Sequence, residues 1–375
     1  MAKVLVLGGG FGGLVAAERL AQTLGGNHQV TLVSRSRRFV FYPALVKVAF
    51  GKCEREDVSF DLRNALLDRR VNFIEAEVAR INSDEQKVVI AHGDVEGQLP
   101  YDYLIFALGR RLATEKVTGF YEHAHHLLNV DKAIQFGRAA NAFRGGHVVI
   151  GDCKGARLPV PVLETAFALA ELFEKLGVRK QSRITVVSPD PSGLIFNDPK
   201  VTLTINRALA LHNIEYVPNF SINEITERFA TTDANHSIDY NLLMLLPPFE
   251  GASAAALLGI TDEEGYINVS PTMRVPGIDR VYAIGDCVNF EGPKLAHMAV
   301  RQASVAAENL AAEIEGTASR ERYLHEVKVV IDEGSDGGLY FQKDWWDHNE
   351  TTVQHNRFWS WAKWAQEKYW EHTHS

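Results

Sequence analysis

The residues with the clearest chemical content stand at the start of the chain. Gly8-Gly9-Gly10-Phe11-Gly12-Gly13 fits G-x-G-x-x-G, with Gly8, Gly10 and Gly13 at the defining positions. In this pattern the first glycine permits a tight turn and the second lets backbone approach a pyrophosphate. The third allows a helix to pack closely on a strand, so the phosphates meet the positive end of that helix. Phe11 and Gly12 belong to the same turn. The acidic residue that usually holds a ribose is missing, because the next strand ends Ser34-Arg35. Ser34 can bond a ribose hydroxyl and Arg35 can face a phosphate, which taken alone points to a phosphorylated nicotinamide cofactor. Other chemistry is disfavoured. Cys53, Cys153 and Cys287 are too few and too scattered for a disulfide framework or a zinc site, and no metal site is expected. A net charge of -8 opposes nucleic-acid binding.

The elements around the glycine loop are legible from hydrophobic pattern. Lys3 to Leu7 reads as a buried strand, Leu14 to Leu24 as a helix and Gln29 to Val33 as a second strand. A second alternation begins near Val130, with a strand at Val148 to Ile150, a helix from Glu164 to Leu176 and a strand at Ile184 to Val187. Repeated βαβ units imply doubly wound parallel sheets, hence an α/β fold of two Rossmann-like domains. The 375 residues suit two or three domains, and 46% hydrophobic with 23% charged residues suits a soluble globular protein. Further apolar strands lie at Tyr101 to Gly109, Leu242 to Phe249 and Val281 to Asp286. The boundaries read as 1–112 with 250–317 for the first domain, 113–249 for the second, and 318–375 for a small C-terminal region. A leader is not expected before a strand that begins at Lys3, and no run of about 18 apolar residues could cross a bilayer.

Two later segments make the glycine loop specific. Tyr101 to Gly109, with Ala107 and Gly109 at its end, resembles the strand and turn closing in Ala-Thr-Gly in flavoproteins with two dinucleotide domains. Val281-Tyr282-Ala283-Ile284-Gly285-Asp286 resembles their second FAD signature, whose Asp binds the ribityl chain. Leu246 to Gly251 and Gly292-Pro293-Lys294-Leu295-Ala296 resemble the sulfide:quinone oxidoreductases, with type II NADH:quinone dehydrogenases as near relatives. The resemblance covers most of the chain. It implies an FAD enzyme passing electrons from a small-molecule donor to a membrane quinone, with FAD favoured over a nicotinamide cofactor in the first domain.

The resemblance divides over the donor. The second glycine loop reads Gly151-Asp152-Cys153-Lys154-Gly155-Ala156, then Arg157 to Leu163 before Glu164. Asp152 puts a carboxylate where a pyrophosphate would lie, and Cys153 replaces the glycine that permits its approach. NADH is therefore disfavoured as donor. Sulfide chemistry in the family uses a cysteine pair, expected near Leu158 or Pro159 and near Val327 to Val330, and neither region contains Cys. A type II NADH:quinone dehydrogenase with an altered loop is the alternative enzyme, and a non-catalytic flavin-bound scaffold the alternative of another class.

The same resemblance implies roles for particular residues. Glu164, at the start of its helix, would move protons to the quinone, or else is a first-turn Glu favoured by the helix dipole. Lys294, with Leu295 beside it, would place an ammonium at the flavin pyrimidine and stabilise the reduced anion. Pro43 would pass over the flavin. His297 and Arg301 would line the quinone side or lie on a polar surface.

All six tryptophans (Trp345, Trp346, Trp359, Trp361, Trp364, Trp370) fall in the last 31 residues. Residues 356–371 fit a helix with a polar strip of Asn356, Ser360, Lys363, Glu367 and Glu371, and aromatics over most of the rest. Its roughly 24 Å is short of the ~30 Å hydrocarbon core, so the helix is expected to lie in a membrane interface. Packing on the body or across a homodimer is the alternative. The location expected is cytoplasmic and peripheral on the membrane.

Overall fold

The computed structural model describes residues 1–190, 197–253, 260–318, 321–346 and 350–374. Two parallel sheets organise it, as the repeated βαβ pattern predicts. The first has seven strands in the order Val281–Ala283, Tyr103–Phe106, Lys3–Leu7, Gln29–Ser34, Val71–Asn82, Lys87–Gly93 and Gly97–Pro100. The first five pair in parallel, and the last two add an antiparallel edge. The Lys3–Leu7 strand has four fully buried residues, as a strand covered on both faces must. Helices Phe11–Leu24 and Ala296–Glu315 supply the cover, and their apolar residues share one core with the sheet.

The second sheet is wholly parallel, in the order Ile214–Val217, Ser182–Val187, Gly146–Asp152 and Leu242–Leu246. Helices Val130–Ala142, Val160–Lys175 and Pro199–Leu211 pack around it. The antiparallel pair Arg110–Leu112 and Phe249–Gly251 links the two units. So does the contact at Gly137, where any side chain would sit 1.9 Å from the Ala49 carbonyl oxygen.

The C-terminal region holds more order than its aromatic composition suggests. Glu326–Asp332, Gly338–Asp344 and Thr351–Asn356 form an antiparallel sheet ahead of helix Arg357–His374. Val327, Val329 and Ile331 alternate into the core shared with Phe167 and Phe173 of the second unit, each contributing about 1.5–3 kcal/mol by burial. The period-2 pattern is visible in the sequence but is overshadowed there by the aromatic run that follows it.

Candidate active site

The three motifs, spread over nearly 280 positions, meet because their strands are neighbours. Leu7 pairs with Phe106, and Phe106 with Ala283, so Gly8, Ala107 and Ile284 leave adjacent parallel strands at one level. Ligands of open α/β sheets bind at this carboxyl edge. Gly8 has φ +107°, and a side chain there would meet the Ala107 carbonyl oxygen at 2.2 Å. A side chain on Gly13 would lie 1.8 Å from the Gly8 carbonyl oxygen, so this glycine allows the helix to press on the strand end. A side chain at Gly12 would contact Ile284 at 3.4 Å. Gly10 differs, since nothing lies within 4 Å of where its side chain would project. Gly10 is also the N-cap of helix Phe11–Leu24 and no side chain caps that end. An open space facing an uncapped helix N-terminus fits the pyrophosphate of a dinucleotide.

The surrounding residues are placed as follows. Ser34 is buried behind Gly9, and its hydroxyl donates to the Ser36 carbonyl at 2.9 Å; Arg35 is exposed. Ala107 is buried, and Gly109 has φ +68°, a left-handed turn natural to glycine. Gly285, at φ +80°, donates its N–H to Gln302 Oε1 at 2.7 Å. Asp286 pairs with Arg110, whose guanidinium lies 4.0 Å from the centre of the Phe249 ring. Gly285, Asp286, Lys294 and Leu295 line one pocket with Met298 and Gln302. Pro43 sits half-buried in the turn Tyr42–Ala44. Phe11 is buried against Phe39, Phe41 and Trp370, with ring centres 5.0–5.4 Å away.

Lys294 is the most perturbed cation of the pocket. It is 5% exposed, its ammonium donates to the Val288 carbonyl and lies 4.4 Å from the centre of the Tyr266 ring. Burial, with the Arg157 guanidinium nearby, lowers it to about 7. Arg157 bonds the Phe290 and Gly292 carbonyls and so pins the stretched loop to the Lys294 segment. Sequence reasoning missed Arg110 and Arg157. Arg110 directly follows the Gly109 motif, which was a usable signal; Arg157 gave none.

Glu164 lies apart from that pocket. The helix runs Val160–Lys175, so Glu164 is in its second turn and not at its start, which removes the first-turn dipole explanation. The reason is local: Pro161 suits the first turn, where no amide hydrogen bond is needed. The carboxylate is 5% exposed, accepts the Asp332 N–H at 2.7 Å and pairs with Lys363. Burial raises it above the ordinary carboxylate range, and Lys363 draws it back. His297 accepts the Lys328 N–H at 3.3 Å, and Arg301 pairs with Glu326 at 2.6 Å. Both tie the helix Ala296–Glu315 to the C-terminal sheet. Burial lowers His297 to about 4, so it is neutral at pH 7.

The C-terminal helix turns its polar strip inward. Ser360 donates to Asp332 at 3.2 Å, Lys363 meets Glu164, and Glu367 meets Lys47. The side chain of Glu371 lies outside the described residues. Trp370 follows on the same stripe and stacks on Phe39. Phe358, Trp361, Trp364 and Tyr369 point outward, 57%, 58%, 49% and 67% exposed. The tryptophans therefore do not share one task. Trp359 stacks on Tyr340 at 3.8 Å and Trp345 sits against His325. No helix among the described residues is long and apolar enough to cross a membrane.

The second glycine loop has no such open cradle. Asp152 is buried, with one carboxylate oxygen lacking a hydrogen-bond partner, and burial lifts it to about 7. Cys153 is fully buried, as is Cys287, and burial pushes both thiols up. All three cysteines are free. Among the described residues no cluster of three or more His, Cys, Asp or Glu can hold a metal.

Known proteins agree with this layout. The profile of the pyridine nucleotide-disulphide oxidoreductase family matches residues 2–303. The mitochondrial sulfide:quinone oxidoreductase of Mus musculus is 25% identical over 325 residues, covering 81% of this chain and 69% of that protein. A type II NADH:quinone oxidoreductase of Staphylococcus aureus (strain bovine RF122 / ET3-1) is 24% identical over 361 residues, covering 90% of this chain and 89% of that protein. The crystal structure of the sulfide:quinone oxidoreductase from Aquifex aeolicus shares the fold, with a TM-score of 0.90 at 22% identity over 98% of this chain and 90% of that one. The Gly10 cradle, the paired carboxyl edge and the matched profile together make this chain a member of the pyridine nucleotide-disulphide oxidoreductase family, an oxidoreductase whose cofactor is FAD.

Proposed function

We propose that the protein transfers electrons through FAD to a membrane quinone while its C-terminal helix rests on the lipid surface. The observation that carries this reading is the packing of that helix, with ionic residues on the body and Phe358, Trp361, Trp364 and Tyr369 outward. An outward aromatic face suits the headgroup level of a bilayer. FAD supplies the two-electron chemistry between donor and quinone. Gly8, Gly10 and Gly13 with the first turn of helix Phe11–Leu24 would hold its pyrophosphate, and Ser34, Ala107, Gly109, Gly285 and Asp286 would flank it. Lys294, buried in the pocket with Gly285 and Asp286, would supply a cation to the bound cofactor. Glu164 holds and releases a proton for the quinone, as a buried carboxyl lifted above its usual range can.

NADH is disfavoured as donor, because a buried carboxyl, Asp152, and the buried Cys153 follow Gly151 in the second glycine loop. The usual two-cysteine sulfide relay is disfavoured as well, since neither Leu158–Pro159 nor Val327–Val330 contains Cys and both Cys153 and Cys287 are fully buried. Anaerobic mixing of the yellow protein with NADH, NADPH and sulfide, followed at 450 nm, identifies the donor. Rapid bleaching by NADH would overturn the reading of the second loop. Dithionite-reduced protein should be reoxidised by ubiquinone or menaquinone in liposomes, and failure with both would sink the quinone assignment. Deleting residues 356–375 should abolish flotation with those liposomes. Unchanged flotation would rule out membrane anchoring by that helix, and a shift from dimer to monomer would give it to a subunit contact.

A further inference from the structure

Lys294 carries its charge into the interior, where an ammonium needs partners in place of water. The Val288 carbonyl accepts one of its N–H groups. The face of Tyr266 supplies a second partner, with the ammonium 4.4 Å from the ring centre. Tyr266 is fully buried, and its hydroxyl finds no hydrogen-bond partner among the described residues. Buried tyrosines ordinarily satisfy that group, so the ring, and not the hydroxyl, makes the contact here.

The backbone fixes where the ring stands. Asp262 accepts the Tyr266 N–H on Oδ1 at 2.8 Å and donates its own N–H to the Tyr266 carbonyl at 2.8 Å, closing a small turn. Ile267, next in the chain, bridges in parallel to Val288, whose carbonyl holds the ammonium. Gly251 lies so close to the turn that a side chain there would sit 1.7 Å from the Gly265 carbonyl oxygen. The Lys294 end is fixed as well, because its N–H donates to the Arg157 carbonyl at 2.7 Å. The Arg157 guanidinium stands 5.6 Å from the centre of the same ring. Two cations thus share one ring, and Lys294 lines the pocket with Gly285 and Asp286. Burial and the Arg157 guanidinium lower Lys294 to about 7; Arg110 adds to this, while Asp286 and Cys287 oppose it.

We infer that Tyr266 is a positioning residue whose ring face seats the Lys294 ammonium in the pocket, so that its charge acts on the bound cofactor. The inference rests on Lys294 serving that cofactor, as proposed above. The negative face of an aromatic ring attracts a cation at this distance, most strongly where water is excluded. It offsets what burial and the neighbouring guanidinium take from the ammonium.

The test is a redox titration of the FAD-loaded protein at a series of pH values. Lys294→Ala should lower the midpoint potential, and Tyr266→Leu should lower it by a smaller amount. The midpoint begins to fall more steeply with pH where the oxidised form loses the ammonium proton. Tyr266→Leu should move that point down by about one pH unit. Tyr266→Phe keeps the face and should leave both readings at wild-type values. In a Lys294→Ala background, Tyr266→Leu should add no further shift, since the ring acts through the lysine. If Lys294→Ala leaves the midpoint unchanged, the role of Lys294 itself falls, and this inference with it. If Lys294→Ala lowers the midpoint and Tyr266→Leu does not, this inference falls alone. It falls too if Tyr266→Phe behaves as Tyr266→Leu does, or if the leucine shift persists without Lys294. Should Tyr266→Leu not yield folded holoprotein, 4-cyanophenylalanine at position 266 keeps the ring and withdraws charge from its face. A midpoint below that of Tyr266→Phe supports the seat, and an equal one overturns it.

Discussion

The chain carries the same kind of glycine loop twice, and the two differ in how their helices begin. In the first, Gly10 faces open space and the helix behind it starts at once, with no side chain covering its N–H groups. In the second, the buried Cys153 stands at the position that Gly10 holds in the first, and eight residues separate Gly151 from its helix. A buried carboxyl, Asp152, ends the strand ahead of that loop. Two loops of similar composition thus differ in what the helix N-terminus can reach. A Rossmann-like unit keeps its fold when its nucleotide site is lost, because the sheet and helices need only their apolar faces.

The largest effect that would break this contrast is expected at Gly13. Gly13→Ala forces the helix away from the Gly8 carbonyl and should cost about 3 kcal/mol or more, with loss of bound flavin on purification. A yellow, equally stable variant in a melting experiment would show that the close packing is dispensable. Next is Asp152→Asn. The folded carboxyl at about 7 lies above an unfolded value of about 4, so the fold favours the protonated form. Stability from this position is full below about pH 4 and is lost as pH rises toward 7, so the variant should gain on the order of 1–3 kcal/mol at pH 8 and nothing at pH 4. Urea titrations at the two pH values that give equal gains would refute the assigned burial.

Gly10→Ala sharpens the comparison from the other side. Its backbone is extended and its surroundings open, so apoprotein stability should change by less than about 0.5 kcal/mol while FAD affinity falls about tenfold or more. Unaltered affinity by fluorescence titration would move the phosphate elsewhere. Lys294→Ala should lower the flavin midpoint potential by about 30–60 mV, roughly 1.4–2.8 kcal/mol for two electrons. A potential unchanged in a redox titration removes Lys294 from the flavin. The smallest effect is expected at Cys153. Cys153→Ala should leave flavin reduction by every donor within error and stability within about 1 kcal/mol, since a buried protonated thiol is inert.

Much of this was legible in sequence, and the reasons are physical. Apolar runs such as Val4 to Leu7 and Leu242 to Leu246 can only be strands buried on both faces, and glycines at fixed spacing beside one of them mark a cradle. The helix carrying Glu164 began earlier than its pattern indicated, because Pro161 reads as a breaker although it serves well in a first turn. The sheet Glu326–Asp332 to Thr351–Asn356 went unseen because its short strands gain most of their burial from the helix of Phe167 and Phe173, a partner more than 150 positions away.

The sequence by itself determined the fold class, the first nucleotide loop and the absence of a cysteine pair, because each depends on residue types at short spacing. Only the tertiary structure decided which way the C-terminal helix faces. Periodicity divides that helix into a polar strip and an aromatic remainder, and it is silent about which side meets protein. Glu164 and Lys47, on two different units, supply buried partners for Lys363 and Glu367, so the charged strip turns inward and the aromatic face is left outside.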